Sequence, residues 1–508
     1  MRTHRHLAWL LASLLGSAGC AALDGEDAFS PWDEDESDTT TGDGPGGKAD
    51  AIAGYRAGCN EPIRTGRYVL KGDVVTPTGV LKGGFVVVED EKIVEVRTRT
   101  QGPGQGVTAV DTGGIIFPGL IDGHNHVEYN VVPLADLGQR FANRNQWPRK
   151  AAYKRLIKDP RKAVITAGLT CQGVKHGEVR ALVGGTTSIQ GAPYSPCVRP
   201  LVRNIEQTNF CRDKVRTNVL GAASYAKGDP SFAEEILDDL AQDKLDAYVL
   251  HLGEGIDASS QGEFSIVKNL ELNRPEMIMV HGTAFTDVEF REAGAVGAKL
   301  VWSPLSNLLL YGKTTDVPAA VRNGVLVSLG SDWAPSGSAN VLGELKIADK
   351  VNKVLWAGEI TDEELIAMVT LNPAIAYGAD KELGSIEAGK YADLMVVARK
   401  TGVSAYRALI DARPQDVLLT TISGDPLYGT VPLMEALGKA GDHEKIDACG
   451  APRAVDATVV AADVPGAEET LDSIESRLKA VIPQLTPIFE CDDAAARKAY
   501  QGTELEGK

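Results

Sequence analysis

The chain has 508 residues, 43% of them hydrophobic and 24% charged, which is enough material for two or three domains with a large core. A formal charge of -17 excludes a polyanionic partner as the simple reading, and an aromatic content of 6% argues against base stacking, so no nucleic-acid partner is expected. Residues 24–50 hold ten acids against one lysine, so the remainder is only mildly acidic and its charge does not identify a substrate.

Residues 1–20 read as an export signal: Arg2 and Arg5 precede a short apolar run from Leu7 to Leu15, followed by small residues. Cys20, directly after Ser17, Ala18 and Gly19, resembles a bacterial lipoprotein acceptor site, although such sites usually carry leucine where Ser17 stands. A membrane partner through a lipid anchor on Cys20 is expected, with simple cleavage and release as the alternative. Either way the protein is placed in the bacterial cell envelope, in the periplasm or on an outer-membrane surface. Residues 21–60 are an acidic tether with no apolar periodicity, too polar to bury itself.

Six further cysteines, Cys59, Cys171, Cys197, Cys211, Cys449 and Cys491, form an even set without a CxxC pair, as expected in an oxidising compartment. Their pairing is open, with Cys197 to Cys211 the local choice.

Past the tether, "GRYVLKGDVVTP", "GGFVVVEDEKIVEVRT" and "TAVDTGGIIFPG" are Val- and Ile-rich runs cut by Gly and Pro, which predict a small all-β unit. After residue 115, apolar runs of strand length alternate with helical stretches: "GIIFPGLID", "GTTSIQG", "TNVLGAAS", "AYVLHLG", "MIMVHG", "KLVWSP" and "GVLVSLGSD". This alternation predicts βα units around a parallel sheet. Seven strands are visible, and an eighth is sought between residues 195 and 216 or within 130–175. Short strands return in "GSIEAGKYADLMVVARK" and "DVLLTTISGDPLYGT", so the β unit is split in sequence. Farther on, Leu471, Ile474, Leu478 and Ile482 repeat at helical spacing and predict a helix packed on the folded body.

Four of the six histidines outside the signal, His124, His126, His251 and His281, end apolar runs, and Asp332 ends another. In a parallel βα barrel the carboxyl ends of the strands share one face, where such barrels place their chemistry. Strand alternation would point His124 and His126 the same way, so that they could share an ion. Imidazole nitrogens with a carboxylate suit zinc or a similar divalent metal. HxH alone is a weak signal; the ordered set of strand-end residues is a strong one. His176, before "GEVRALVGG", reads as a helix-start residue, and His443 as a surface-loop residue.

The stretches "FPGLIDGHNH", "HGEVRALVGGTTSIQG", "HLGEG", "VHG", "SPLSNLLLYG", "GSDWAP" and "NPAIAYGADKELGSIEAGKYADLMVV" together resemble the amidohydrolase superfamily, in particular its cytosine-deaminase-like and triazine-hydrolase-like enzymes. The resemblance implies an α/β fold, a (β/α)8 TIM-like barrel over residues 115–375 inserted into a split small β-sandwich over 61–114 and 376–455, with a helical extension over 456–508. It places metal ligands on His124, His126, His251 and Asp332. Relatives with two metals bridge them by a lysine; Lys175, Lys214 and Lys227 are poorly placed for this, and the His251-to-Glu254 spacing matches the mononuclear branch. One divalent metal per chain is therefore expected, zinc first, with iron or manganese as alternatives.

The same resemblance implies a metal-dependent hydrolase acting on carbon–nitrogen bonds of a cyclic amide, ureide or amino-heterocycle, by hydrolysis or deamination. Asp332 would take the proton of the attacking water, His281 would stabilise the oxyanion, and Glu254 would carry a proton to the leaving nitrogen. Trp302, where relatives commonly carry histidine, together with Ser306, Asn307, Tyr129 and Trp333, would contact a small-molecule substrate. Ser306 and Asn307 could equally cap a turn, and Tyr129 and Trp333 could equally pack in the core. A binuclear peptidase or lactonase, a non-catalytic metal- or ligand-binding surface lipoprotein, and a homo-oligomer all remain open at this point.

Overall fold

A computed structural model of the chain describes residues 66–191, 201–206, 214–216, 231–441, 443–458, 468–492, 494–503 and 505–506. The export signal, Cys20, the tether, Cys59, Cys197, Cys211 and Lys227 lie outside the described residues, so the local Cys197 to Cys211 pairing does too.

Strands β1 (Arg67–Thr76), β2 (Gly79–Glu89), β3 (Lys92–Arg97) and β4 (Val110–Pro118) form where the Val- and Ile-rich runs predicted them. Side chains alternate between two apolar clusters: Leu70, Val74, Val86, Val88 and Ile116 pack on one face, while Val69, Phe85 and Val87 pack on the other. The sheet is completed from far along the chain. Five strands that start after residue 393 join it in the order β16-β17-β15-β14-β13-β4-β1-β2-β3. They are β13 (Leu394–Ala398), β14 (Val417–Ile422), β15 (Asp425–Gly429), β16 (Glu444–Ala448) and β17 (Ala451–Val455). The seam is the antiparallel pair β4 and β13, with Ile116 opposite Val396 and Pro118 opposite Leu394.

Among the described residues, eight strands run between the two halves: β5 (Leu120–Asp122), β6 (Thr186–Ile189), β7 (Arg203–Asn204), β8 (Val215–Arg216), β9 (Ala247–Leu252), β10 (Met277–His281), β11 (Lys299–Trp302) and β12 (Leu326–Leu329). All are parallel, in one sheet β5-β6-β7 and another β12-β11-β10-β9-β8. Both β7 and β8 lie inside the 195–216 window in which a further strand was sought, and the predicted strand "TNVLGAAS", residues 217–224, lies outside the described residues. The other window, 130–175, folds instead into helical segments, among them Asp159–Thr166 and the start of Thr170–Leu182.

The parallel strands are apolar on both faces because both are covered. Val249, Ile278, Val280 and Val301 share one cluster, whereas Tyr248, Leu250, Met277, Met279, Leu300 and Trp302 face another that includes flanking helices such as Val341–Leu355. Helix Asp287–Val296 illustrates the local code. Thr286 and Glu289 form a capping box at its start, and Gly297 ends it at φ 81°.

The C-terminal periodicity becomes helix Leu471–Val481, with Leu471, Ile474 and Leu478 buried, followed by helix Ala494–Tyr500. Ile474, Leu478 and Ile482 join a cluster with Tyr129, Trp147, Tyr311 and Trp333. Arg180 Nε donates to the Pro487 carbonyl at 2.9 Å and Thr486 N–H to the Val131 carbonyl at 3.1 Å, so the extension is fastened to the segment after β5. A disulfide joins Cys449 to Cys491, and Cys171 is also disulfide-bonded. No helix among the described residues is long and apolar enough to cross a membrane.

The Cys449–Cys491 bond closes a loop with a sequence separation of 42, a constraint worth about 4 kcal/mol in the chain-entropy view. Cys491→Ser is therefore expected to lower the urea midpoint under oxidising conditions. An unchanged midpoint would show that the extension is held by packing alone.

Candidate metal centre at the strand ends

The apolar run of β5 stops at Asp122, so His124 and His126 lie just beyond the strand, not within it as the alternation argument assumed. Their shared direction has another cause. Asn125 forms a parallel bridge with Asp332; Asp332 N–H donates to the His124 carbonyl at 2.9 Å and His126 N–H to the Asp332 carbonyl at 2.6 Å. The buried Asp122 carboxylate fastens this pairing by accepting from Ser331 N–H at 2.9 Å, Asn125 Nδ2 at 3.0 Å and the Ser331 hydroxyl. At Gly330 a Cβ would stand 2.7 Å from His124 N and 2.8 Å from its carbonyl oxygen, so only glycine lets the two backbones approach this closely.

The result is a tight group of imidazoles. The Nε2 atoms of His124 and His126 are 3.1 Å apart, and one ring nitrogen from each of His124, His126 and His251 falls within 4.8 Å of the others. Asp332 Oδ1 lies 3.7 Å from His124 Nε2 and 3.8 Å from His126 Nε2. Burial pushes the His124 imidazole down to about 4 and holds His126 and His251 well below their usual range, so all three are neutral lone-pair donors near pH 7. Burial pushes Asp332 up to about 8. Two imidazole nitrogens bound tetrahedrally at about 2.05 Å would stand about 3.3 Å apart, close to the spacing seen. Three neutral imidazoles and a carboxylate on one point fit a divalent cation, whose charge would also relieve the burial of Asp332.

Glu254 follows β9 between two glycines in left-handed backbone, Gly253 at φ 64° and Gly255 at φ 153°. A Cβ at Gly255 would stand 2.5 Å from the Ala142 carbonyl oxygen, because residues 142–144 run alongside: Ile256 N–H donates to Ala142 and Arg144 N–H to Glu254. The Glu254 carboxyl is buried and its pKa raised by desolvation. Its Oε1 accepts from the Tyr311 hydroxyl at 2.5 Å, and Trp147 Nε1 donates to that same hydroxyl oxygen at 3.1 Å. Oε2 makes no hydrogen bond and stands 3.7 Å from His281 Nε2 and 3.9 Å from Arg144.

His281 should face away from this group, since Met277 and Met279 lie on the opposite face. A φ of 76° at His281 turns it back, the kind of local strain that collects at functional sites. Asn307 Nδ2, which can only donate, is 3.2 Å from His281 Nδ1, so His281 carries its hydrogen on Nε2, aimed at Glu254. Burial pushes its pKa down to about 3.

The remaining sequence candidates divide. Ser306 donates to Asp332 Oδ2 at 2.6 Å and Asn307 to His281, so both brace the centre and do not stand open for a ligand. Tyr129 and Trp333 stack edge-on at 5.3 Å, with ring centres 6.5 and 6.4 Å from His126, and form a wall beside it. Trp302 corrects the expectation of substrate contact: it alternates onto the outer face, packs on Trp356 at 5.3 Å and donates to Thr314 at 2.7 Å. His176 sits within helix Thr170–Leu182, fully buried near Glu475, away from its expected place at a helix start. Lys214 pairs with Asp246 before β8, and Lys175 donates to the Glu469 carbonyl, so neither meets the histidines. Sequence reading missed Arg144, Trp147, Tyr311, Gln190 and Glu206. Of these, Gln190 was findable, because it ends an apolar strand as the histidines do.

Residues 115–427 match the model of the amidohydrolase family. The 5′-deoxyadenosine deaminase of Methanothermobacter thermautotrophicus is 25% identical over 378 residues, covering 65% of this chain and 84% of that protein. Two solved structures share the fold. A zinc-bound adenosine deaminase from Xanthomonas campestris matches with a TM-score of 0.60 at 18% identity, over 82% of this chain and 99% of that one. A zinc-bound atrazine chlorohydrolase from Arthrobacter aurescens matches with a TM-score of 0.59 at 16% identity, over 82% and 100%. With strand-end histidines, a matching family model over most of its length and this shared fold, the chain belongs to the amidohydrolase family.

Proposed function

We propose that this chain is a metal-dependent hydrolase of carbon–nitrogen bonds other than peptide bonds, acting on a cyclic amide, a ureide or an amino-heterocycle. The observation that carries the reading is the convergence of three neutral imidazoles and Asp332 on one point, with Glu254 and His281 facing each other beside it. His124, His126, His251 and Asp332 would hold one divalent metal, zinc by the company of zinc-bound relatives. Such a metal, when bound, supplies Lewis acidity and brings the pKa of water toward neutrality.

The side chains account for the proton movements. Asp332, held through Oδ2 by Ser306, takes the proton of the attacking water. His281 donates from Nε2 to the oxygen or nitrogen on which negative charge develops. Glu254 is held by Tyr311 through Oε1, which leaves Oε2 to deliver a proton to the departing nitrogen. Desolvation raises the pKa of this carboxyl above that of a free glutamate, the direction that favours a general acid. The walls of Tyr129, Trp147 and Trp333 favour a flat ring over an extended peptide. A single metal is the reading because the described residues hold one cluster of such ligands and no lysine beside it.

The eight parallel strands are read as a closed (β/α)8 barrel over residues 115–375. This is supported by the link from Gly123 N–H to the Leu329 carbonyl at 2.9 Å, which joins the first strand to the eighth. The nine-stranded sheet is read as the split sandwich of residues 61–114 and 376–455, and 456–508 as the helical extension. Export is supported by the disulfide-bonded Cys171, Cys449 and Cys491, which suit an oxidising compartment. With Cys20 acylated, Cys20→Ala should move the protein from the membrane to the soluble fraction; unchanged membrane association would remove this anchor.

Glu254→Gln keeps the shape of the side chain and removes its proton. Ammonia release from adenosine, 5′-deoxyadenosine and guanine, and ring opening of cyclic amides and ureides, give the assay panel. Turnover should fall by about 10²- to 10⁴-fold with metal content unchanged. Loss of metal would make Glu254 a ligand, and a wild type inactive on the whole panel would contradict the enzymatic reading.

A further inference from the structure

We infer that Gln190 and Glu206 are positioning residues that set the tautomer of His124 and so determine how tightly the centre holds its metal. The inference rests on the proposed metal reading and adds two residues to which the fold comparison assigns nothing.

The geometry runs across the ends of three neighbouring strands. His124 follows β5, Gln190 is the residue after β6, and Glu206 comes two residues after β7. Their backbones are locked together: Asn125 N–H donates to the Gln190 carbonyl at 2.9 Å, Gln190 N–H to the Asp122 carbonyl at 3.0 Å, and Ile205 N–H to the Ile189 carbonyl at 3.0 Å. Gly191, at φ 96°, permits this contact, since a Cβ there would lie 2.0 Å from the Asn125 carbonyl oxygen. All three side chains are almost completely buried.

Polarity then passes along the row in one direction. Gln190 Nε2 is hydrogen-bonded to Glu206 Oε1. An amide nitrogen only donates, so Oε1 is the acceptor, and the other end of the amide, Gln190 Oε1, must face His124. That oxygen lies 2.7 Å from His124 Nδ1. An amide oxygen only accepts, so the imidazole hydrogen is on Nδ1 and the lone pair is on Nε2, the atom 3.1 Å from His126 Nε2. Without Glu206 the amide could turn over, present its NH2 to Nδ1 and drive the hydrogen onto Nε2, where it would block a metal. Glu206 Oε2 makes no hydrogen bond, so a proton on this carboxyl group has its place there and leaves Oε1 accepting. An acceptor behind a histidine ligand also raises the basicity of its free nitrogen, an effect worth about 10- to 100-fold in affinity at other metal sites.

The contrast with His281 supports the assignment. There the neighbouring amide, Asn307, presents its nitrogen to Nδ1 and puts the hydrogen on Nε2. The Thr315 hydroxyl gives its one proton to the His281 carbonyl at 2.5 Å, which holds the backbone of that histidine in place. Two buried amides with opposite orientation thus separate a metal-ligating histidine from a hydrogen-bond donor.

The test uses the full chain with zinc alone, so it needs no substrate. Zinc affinity, measured by competition with a chelator, should fall about 10- to 100-fold in Gln190→Leu and in the same direction, by less, in Glu206→Leu. With ¹⁵N-labelled histidine and a His124→Gln variant for assignment, the metal-free wild type should show His124 as the Nδ1–H tautomer. Glu206→Leu, which removes the acceptor, should shift that signal toward a mixture. The shift separates this role from packing, which would lower thermal stability without moving the tautomer. Zinc affinities within twofold of wild type in both variants, or an Nε2–H tautomer in wild type, would overturn the inference. If Gln190→Leu does not fold, Glu206→Leu and the wild-type tautomer decide. A wild type that shows Nδ1–H yet binds no zinc would uphold the tautomer and overturn the metal reading.

Discussion

The site depends on one backbone pairing, in which residues 123–126 after the first parallel strand lie against residues 330–332 after the eighth. Asp122 and Ser331 are 209 positions apart in sequence, yet the Asp122 carboxylate is bonded to Ser331 at both backbone and side chain. This pairing puts His124, His126 and Asp332 on one point, and it exists only because Gly330 lets the chains touch. The other strands add their contributions to that point, His251 from the fifth and His281 from the sixth.

Burying so many ionisable groups is costly unless each has a partner. The structure meets the cost by giving each carboxylate a short list of donors: Ser306 for Asp332, Tyr311 for Glu254, Gln190 for Glu206. The imidazoles are kept neutral by burial, which is the state a metal ligand needs. The long segment after β5 and the C-terminal extension share an apolar cluster with Tyr129, Trp147, Tyr311 and Trp333, so the same packing that excludes water also holds the donor to Glu254. Stability of this cluster and chemistry at the centre are linked through Tyr311, which belongs to both.

The sequence was most informative where a local signal coincides with a global position. Apolar runs ending in His124, His126, His251, His281 and Asp332 declare themselves, because a parallel strand is a buried run and its end is a defined place. It was least informative where function depends on which way a chain turns. The turn of His281 onto the inner face comes from a positive φ that no pattern announces, and the brief strand Arg203–Asn204 has too few residues to show a period. Trp302 was misplaced for the opposite reason: nearness to a strand end does not say which face a residue takes, and alternation sends it to the helices. Arg144, Trp147 and Tyr311 come from loops and a helix whose approach to Glu254 is a tertiary fact. Ser306 and Asn307 were found, but as braces for Asp332 and His281.

The central claim is that the imidazoles of His124, His126 and His251 and the Asp332 carboxylate hold one catalytic metal. Diffraction from zinc-loaded crystals on either side of the zinc edge tests it most directly. The account predicts a single anomalous peak about 2.0–2.2 Å from His124 Nε2, His126 Nε2, a ring nitrogen of His251 and Asp332 Oδ1. A peak elsewhere, a second peak sharing these ligands, or no peak in crystals shown to contain zinc would contradict it.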